Sequence, residues 1–162
     1  MPALVPLEVD IVIHAPVATV WEAVGDPRRL SAWSPQVRQT TLLDGADQVA
    51  VGVRFRNQNE HGPLEWTTHG EVVQCDPGRR LAFRLEENWL LWSFTLWDLG
   101  DGQTRLVQRR DAPEGISDFA HGLTERYMGG EQAFTSTMRA GMQQTLQGIK
   151  DACEQPRSAR ER

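Results

Sequence analysis

Between residues 36 and 111 turn signals recur so often that a helix of ordinary length has no room, and this punctuation constrains the fold more than any other feature. The dividers are DGAD at 44–47, EHGP at 60–63, CDPG at 75–78, Glu87-Asn88 and LGDGQT at 99–104, all rich in residues that preset or tolerate turn dihedrals. They leave strand-length segments at 36–43, 50–59, 64–75, 79–87, 89–99 and 103–111. Asp101-Gly102 is the strongest hairpin signal among them. Parallel neighbours need crossovers of a dozen residues or more, so connections this short predict an antiparallel meander. A further strand precedes it: in LEVDIVIHA, Leu7, Val9, Ile11 and Ile13 alternate with Glu8, Asp10, Val12 and His14.

Helical signals appear in four other places. After Pro16, the residues Val17, Val20, Trp21 and Val24 form an apolar stripe that ends at Gly25. Asp26-Pro27 then gives an N-cap oxygen followed by proline, starting a second short helix through RRLSAW that stops before Ser34-Pro35. Residues 116–128 place Ile116, Phe119, Ala120, Leu123 and Tyr127 at helical intervals before Gly129-Gly130. The last helix carries Phe134, Met138, Met142, Leu146, Ile149 and Cys153 on one line. The predicted class is α+β: a curved seven-stranded antiparallel sheet wrapped around the long C-terminal helix, with two short helices after the first strand closing one end. The 162 residues suit a single domain, with an ordered core over about 7–154 and a flexible tail, QPRSARER, at 155–162.

Composition excludes several functions. Net charge is −5, and the arginine pairs at 28, 79 and 109 are scattered, so there is no concentrated basic face to release counterions from nucleic acid. The most apolar stretch, WLLWSFTLW at 89–97, is broken by Ser93 and Thr95 and falls far short of the roughly 20 residues that span a bilayer. Cys75 and Cys153 form no CxxC pair and no signal-peptide pattern opens the chain, so a reducing cytoplasm is expected. The histidines, His14, His61, His69 and His121, show no metal-binding spacing, although His61 and His69 flank one hairpin and could meet across strands. No serine stands in a nucleophile elbow, and Gly100 and Gly102 lie in a hairpin with no helix after them to hold a phosphate. Neither a metal nor a cofactor is expected.

The segment IVIHAPVATVWEAVGDPRRLSAWSP resembles the opening of the START-like, or SRPBCC, superfamily in its polyketide cyclase/dehydrase branch. The likeness continues through VGVRFRNQNEHGPLEWTTHGEVVQCDPGRRLAFRL and WSFTLWDLGDGQTRLVQR to MRAGMQQTLQGIKDACE, covering about residues 7–154. It implies the helix-grip fold and a cavity for a hydrophobic small molecule, and it does not by itself imply catalysis.

Strand parity then sorts the candidates for that cavity. The resemblance turns Trp92, Phe94 and Leu96 inward and leaves Trp97 and Trp89 on the outer face or rim. The same parity puts Phe55 and Asn57, Leu81, Phe83 and Leu85, and Leu106, Gln108 and Arg110 inside, and the resemblance adds Trp66. Helix-on-sheet packing accounts for Phe83, Phe94 and Leu106 without a ligand, whereas Trp66 and Trp92, bulky and carrying an N–H, suit a cavity wall. Asn57, Gln108 and Arg110 would need a hydrogen-bond partner in protein, water or ligand, or would lie at wet strand ends. Phe134 and Met138 face the sheet from the last helix, and Tyr127 stands at the mouth or packs its own short helix. The expected function is cytoplasmic binding of a lipid-like or polyketide-like molecule. An aromatase/cyclase or dehydratase-like enzyme, using Arg110, Asn57 or Tyr127 on a carbonyl, is the first alternative. A regulatory interaction module using the Trp97 and Trp89 surface is the second.

Overall fold

The computed structural model describes residues 6–87, 89–113 and 131–155, the side chains of 131–134 excepted. Seven strands form one antiparallel sheet: β1 (Leu7–Ile13), β2 (Val37–Leu42), β3 (Arg54–His61), β4 (Leu64–Asp76), β5 (Arg80–Leu85), β6 (Leu91–Gly100) and β7 (Gln103–Asp111). Their spatial order is β1-β7-β6-β5-β4-β3-β2. The meander therefore runs from β2 to β7 without a crossover, and β1 closes onto β7 after the chain has passed through α1 (Val17–Val24), a 3₁₀ turn (Pro27–Arg29) and α2 (Leu30–Trp33). The helix α3 (Glu131–Glu154) packs across the inner face, most closely on β1. The α+β helix-grip expectation holds, and the segment assigned to the 116–128 helix, with Tyr127, lies outside the described residues.

Local chemistry explains the boundaries. Asp26 caps the 3₁₀ turn through Oδ1, which accepts from the Arg28 backbone N–H at 2.9 Å. Asp101 and Gly102 both take positive φ, 54° and 72°, which a two-residue primed turn needs between twisted strands. Strand β3 begins at Arg54 rather than at residue 50, because Val53 N–H bonds back to Ala50 O and Gly52 turns the chain at φ 93°. Likewise Trp89 belongs to the β5–β6 turn and not to β6. Its N–H bonds to Leu85 O at 3.0 Å, and its φ of 63° is left-handed, a costly conformation for a bulky residue.

The inner face carries two apolar groups. One joins Leu7, Val9 and Ile13 of β1 to Phe94, Leu106 and the α3 residues Met142, Leu146 and Ile149. The other holds Phe55, Val72, Leu81, Phe83 and Leu85, with the Phe55 and Phe83 rings edge to face at 5.1 Å. A bulge between Val72 and Gln74 shifts the parity of β4, leaving Val73 42% exposed while Cys75 packs inward.

Candidate functional site

A cleft of about 530 Å³ opens between α3 and the sheet. Met138, Gly141, Met142 and Thr145 of α3 form one wall, and Trp92 of β6 and Gln108 of β7 form the opposite one. The rim comes from two irregular segments. Ser34-Pro35-Gln36 follows α2, where the proline forces Ser34 into an extended conformation and ends the helix. Glu60, His61 and Gly62 belong to the β3–β4 hairpin, which is tied to the first segment by Glu60 N–H donating to Gln36 O at 2.8 Å. Gln36 Nε2 lies 3.4 Å from His61 Nδ1, so the amide donates and the ring accepts. Glu60 faces Arg38 at 3.7 Å.

Of the residues expected to meet a ligand, the cleft brings together Trp92, Gln108 and Met138. Phe55, Phe83 and Phe94 are core, each less than 5% exposed. Asn57 is buried in a polar ladder across three strands. Thr40 Oγ1 donates to Asn57 Oδ1 at 2.7 Å, and Asn59 Nδ2 donates to Thr68 Oγ1 at 3.0 Å, with Asn57 Nδ2 at 3.4 Å from the same hydroxyl. Trp66 is half-buried on the same inner face, opposite Asn59 in register. Arg110 is buried, 4% exposed, opposite Trp92. The side chain of Phe134, like Tyr127, lies outside the described residues.

Gln108 is the unusual member. It sits in register between Val9 and Phe94, is 6% exposed, and its Oε1 is buried without a hydrogen-bond partner. Sequence parity placed Gln108 and Trp92 on the inner face, and both line the cleft. Ser34, Gln36, Glu60 and the α3 residues Thr137 and Thr145 were missed, because a rim formed by loops converging in space leaves no periodic trace.

Other chemistry lies outside the cleft. His61 and His69 do not meet: His69 pairs with Arg56 in register, and His61 with Leu64. Instead His69, Glu86 and Glu87 bring ligand-type atoms within 4.8 Å of one another. Glu87 accepts from the His69 backbone N–H at 2.6 Å and pairs with its ring Nδ1, while Glu86 accepts from Arg54 at 3.0 Å, so these groups satisfy one another without an ion. Cys75 is half-buried. Burial first, and then the Asp76 charge, push its thiol up from the ordinary 9.0, which leaves it a poor nucleophile. Trp97 and Trp89 are 53% and 38% exposed. No helix among the described residues is long and apolar enough to cross a membrane.

Comparison with known proteins agrees with this architecture. Residues 5–154 match the family described as polyketide cyclase / dehydrase and lipid transport. No curated protein matches the sequence. Among solved structures, the Zhui aromatase/cyclase from Streptomyces sp. R1128 superposes with a TM-score of 0.73 at 15% identity, covering 93% of each chain. The di-domain ARO/CYC StfQ of the steffimycin biosynthetic pathway gives 0.71 at 14% identity, over 93% of this chain and 50% of that one. The Polyketide_cyc-like protein Cgl2372 from Corynebacterium glutamicum gives 0.59 at 23% identity, covering 92% and 90%. Identities this low speak for the fold alone. The sequence match, spanning nearly the whole chain and agreeing with the resemblance read from its motifs, makes this protein a member of the polyketide cyclase/dehydrase and lipid transport family.

Proposed function

We propose that the protein binds one hydrophobic or aromatic small molecule, lipid-like or polyketide-like, in the cleft between α3 and the sheet, and that it does so in the cytoplasm. The observation that carries this reading is the cleft itself. Its volume of about 530 Å³ falls in the usual range of small-molecule sites, roughly 300–1,000 Å³. Trp92, Met138, Met142 and Pro35 supply an apolar part of the wall, and polar groups, Gln36, His61, Gln108 and Thr145 among them, line at least as much of the cleft and supply orientation.

The test compares native protein with Ala140→Trp. Ala140 lines the cleft from an exposed position on α3, so an indole there occupies the space without removing core. Protein purified from its own host and examined by native mass spectrometry should carry a ligand that the variant lacks, while both unfold at similar temperatures. Absence of any co-purifying molecule, together with no thermal shift across a lipid and aromatic panel, would count against the reading.

A second reading, an aromatase/cyclase or dehydratase-like enzyme, is favoured by the placement of His61 and Glu60 beside the same cleft. Two titratable groups at the mouth offer a proton relay to a reactive chain held in one geometry. Asn57, one of the residues first considered for polarising a carbonyl, contributes less support because its amide is engaged by Thr40 and Thr68. Turnover of a poly-β-ketone substrate that is lost in His61→Ala while ligand affinity persists would favour catalysis.

A further inference from the structure

We propose that His69, Glu86 and Glu87 bind one divalent cation of the zinc class on the outer face of the sheet, where β4 meets the β5–β6 turn. None of the three lines the cleft, so this site is independent of the small-molecule reading.

The backbone brings these residues together. His69 faces Arg56 in register, and Arg56 is exposed on the side away from Phe55 and Asn57. Pairing between β4 and β5 continues one step beyond Gly70–Leu85, since Glu86 N–H donates to His69 O at 2.7 Å, and this sets Glu86 on the same outer face. In an extended strand Glu87 would then point to the other face. The turn prevents that. Leu85 N–H bonds Leu90 O at 2.9 Å and Trp89 N–H bonds Leu85 O at 3.0 Å, and the reversal carries Glu87 back onto His69. There Glu87 Oε1 accepts from the His69 backbone N–H at 2.6 Å and Oε2 meets ring Nδ1. Two carboxylates from consecutive residues thus converge on one imidazole, with a ligand-type atom of each residue within 4.8 Å of the others.

The donor set selects the ion. One imidazole nitrogen with two carboxylate oxygens suits zinc, whereas magnesium and calcium take oxygen ligands. Zinc bonds of about 2.0–2.2 Å put tetrahedral ligands about 3.3 Å apart, so side-chain rotation is enough to part Nδ1 from Oε2 and to bring Glu86 in. The ion takes the place of the proton that Nδ1 and Oε2 share, which leaves to solvent. His69 and Glu87 are half-buried and Glu86 is exposed, so a hydrated ion has access and water completes the coordination.

Three arginines stand nearby. Arg54 donates to Glu86 at 3.0 Å, Arg56 is opposite His69, and Arg84 is opposite Glu71. Four carboxylates, Asp44, Glu71, Glu86 and Glu87, offset them. When Glu86 turns to the ion, Arg54 keeps Asp44 at 3.9 Å and Glu71 opposite it in register, so no arginine is stripped of its counter-charge by the exchange. The adjacent like charges of Glu86 and Glu87 gain from a cation between them.

The experiment titrates zinc chloride into metal-free, full-length protein without a histidine tag, by calorimetry at neutral pH, with magnesium chloride as the comparison. Native protein should take up one zinc ion with a Kd of about 10 μM or tighter, should unfold at a higher temperature when zinc is present, and should not respond to magnesium. His69→Gln and Glu87→Gln should each weaken zinc binding at least about tenfold, while His61→Gln, which alters the other hairpin histidine, should bind as native protein does. If either site variant does not fold, Glu86→Gln, altered at an exposed position, is read in its place. No saturable zinc binding below about 100 μM, an equal response to magnesium, binding that survives in His69→Gln, or binding lost in His61→Gln would overturn the proposal. Each of these results leaves the cleft reading standing, and failure of the cleft to bind any small molecule leaves the cation site standing.

Discussion

Gly70 shows how closely single side chains are fitted on the inner face. It lies opposite Phe55 in register, and a Cβ at Gly70 would come 2.4 Å from Phe55 Cζ. The ring cannot easily retreat, because Phe55 is fully buried and meets Phe83 edge to face. Gly70→Ala should therefore cost about 1–3 kcal/mol, the usual range for overpacking. Urea unfolding reads this as a lower midpoint with an unchanged slope; an unmoved midpoint would show that the ring has room to move. Residue-scale features of this kind were only partly legible in the sequence. The alternation that placed Trp92, Gln108 and Phe94 on one face follows from strand geometry alone. The left-handed backbone of Trp89 does not, since nothing in a tryptophan signals positive φ, and the turn is fixed by the Leu85 N–H bonding Leu90 O at 2.9 Å. The unpartnered oxygen of Gln108 is equally invisible, because it depends on what its cross-strand neighbours fail to supply.

At the scale of elements, α3 is held to β1 by a polar clamp as well as by its apolar face. Lys150, the one lysine in the chain, donates from Nζ to Val12 O at 2.8 Å and pairs with Glu154, whose Oε2 also accepts from the His14 backbone N–H at 2.8 Å. The His14 N–H first, and Lys150 next, hold the Glu154 carboxyl below its ordinary 4.5. A carboxyl lowered in the folded state stabilises at pH values above its ordinary one, and the contribution disappears as pH falls through the folded value. Glu154→Gln should accordingly be less stable than native protein at neutral pH, and the two should converge in acid. Unfolding measured across a pH series checks this, and a gap that persists in acid would assign the effect to packing instead. The sequence displayed the helix by its line from Met138 to Cys153 and the β6–β7 hairpin by Asp101-Gly102. It did not display the clamp, whose partners are more than 130 positions apart, or the bulge after Val72, which is a property of pairing between strands.

Across the whole molecule, the two apolar groups of the inner face are joined by few side chains. Trp92 packs against both, and so do Trp21 of α1 and Leu30 of α2. The backbone ladder from β5 to β6 is continuous from Arg80–Thr95 to Arg84–Leu91, with Leu81 opposite Phe94 and Phe83 opposite Trp92, and Trp92 also forms part of the cleft wall. Of the three side chains that couple the β3–β5 half to the half gripped by α3, Trp92 is the one in the sheet, and it does so where the ligand is proposed to sit. Trp92→Ala should cost about 3 kcal/mol, the low end for truncating a large aromatic, because the indole is only partly buried. The loss should also be uneven. Native-state hydrogen exchange should show the Val72 and Phe83 amides opening below the global free energy while Leu106 and Phe94 remain at it. A saturating ligand should restore part of the coupling in native protein, by about 2.7 kcal/mol at a hundredfold excess over its Kd, and far less in Trp92→Ala. Uniform loss of protection over all seven strands, with ligand stabilisation unchanged, would reduce Trp92 to ordinary core and move the binding surface toward the Met138 and Met142 side of the cleft.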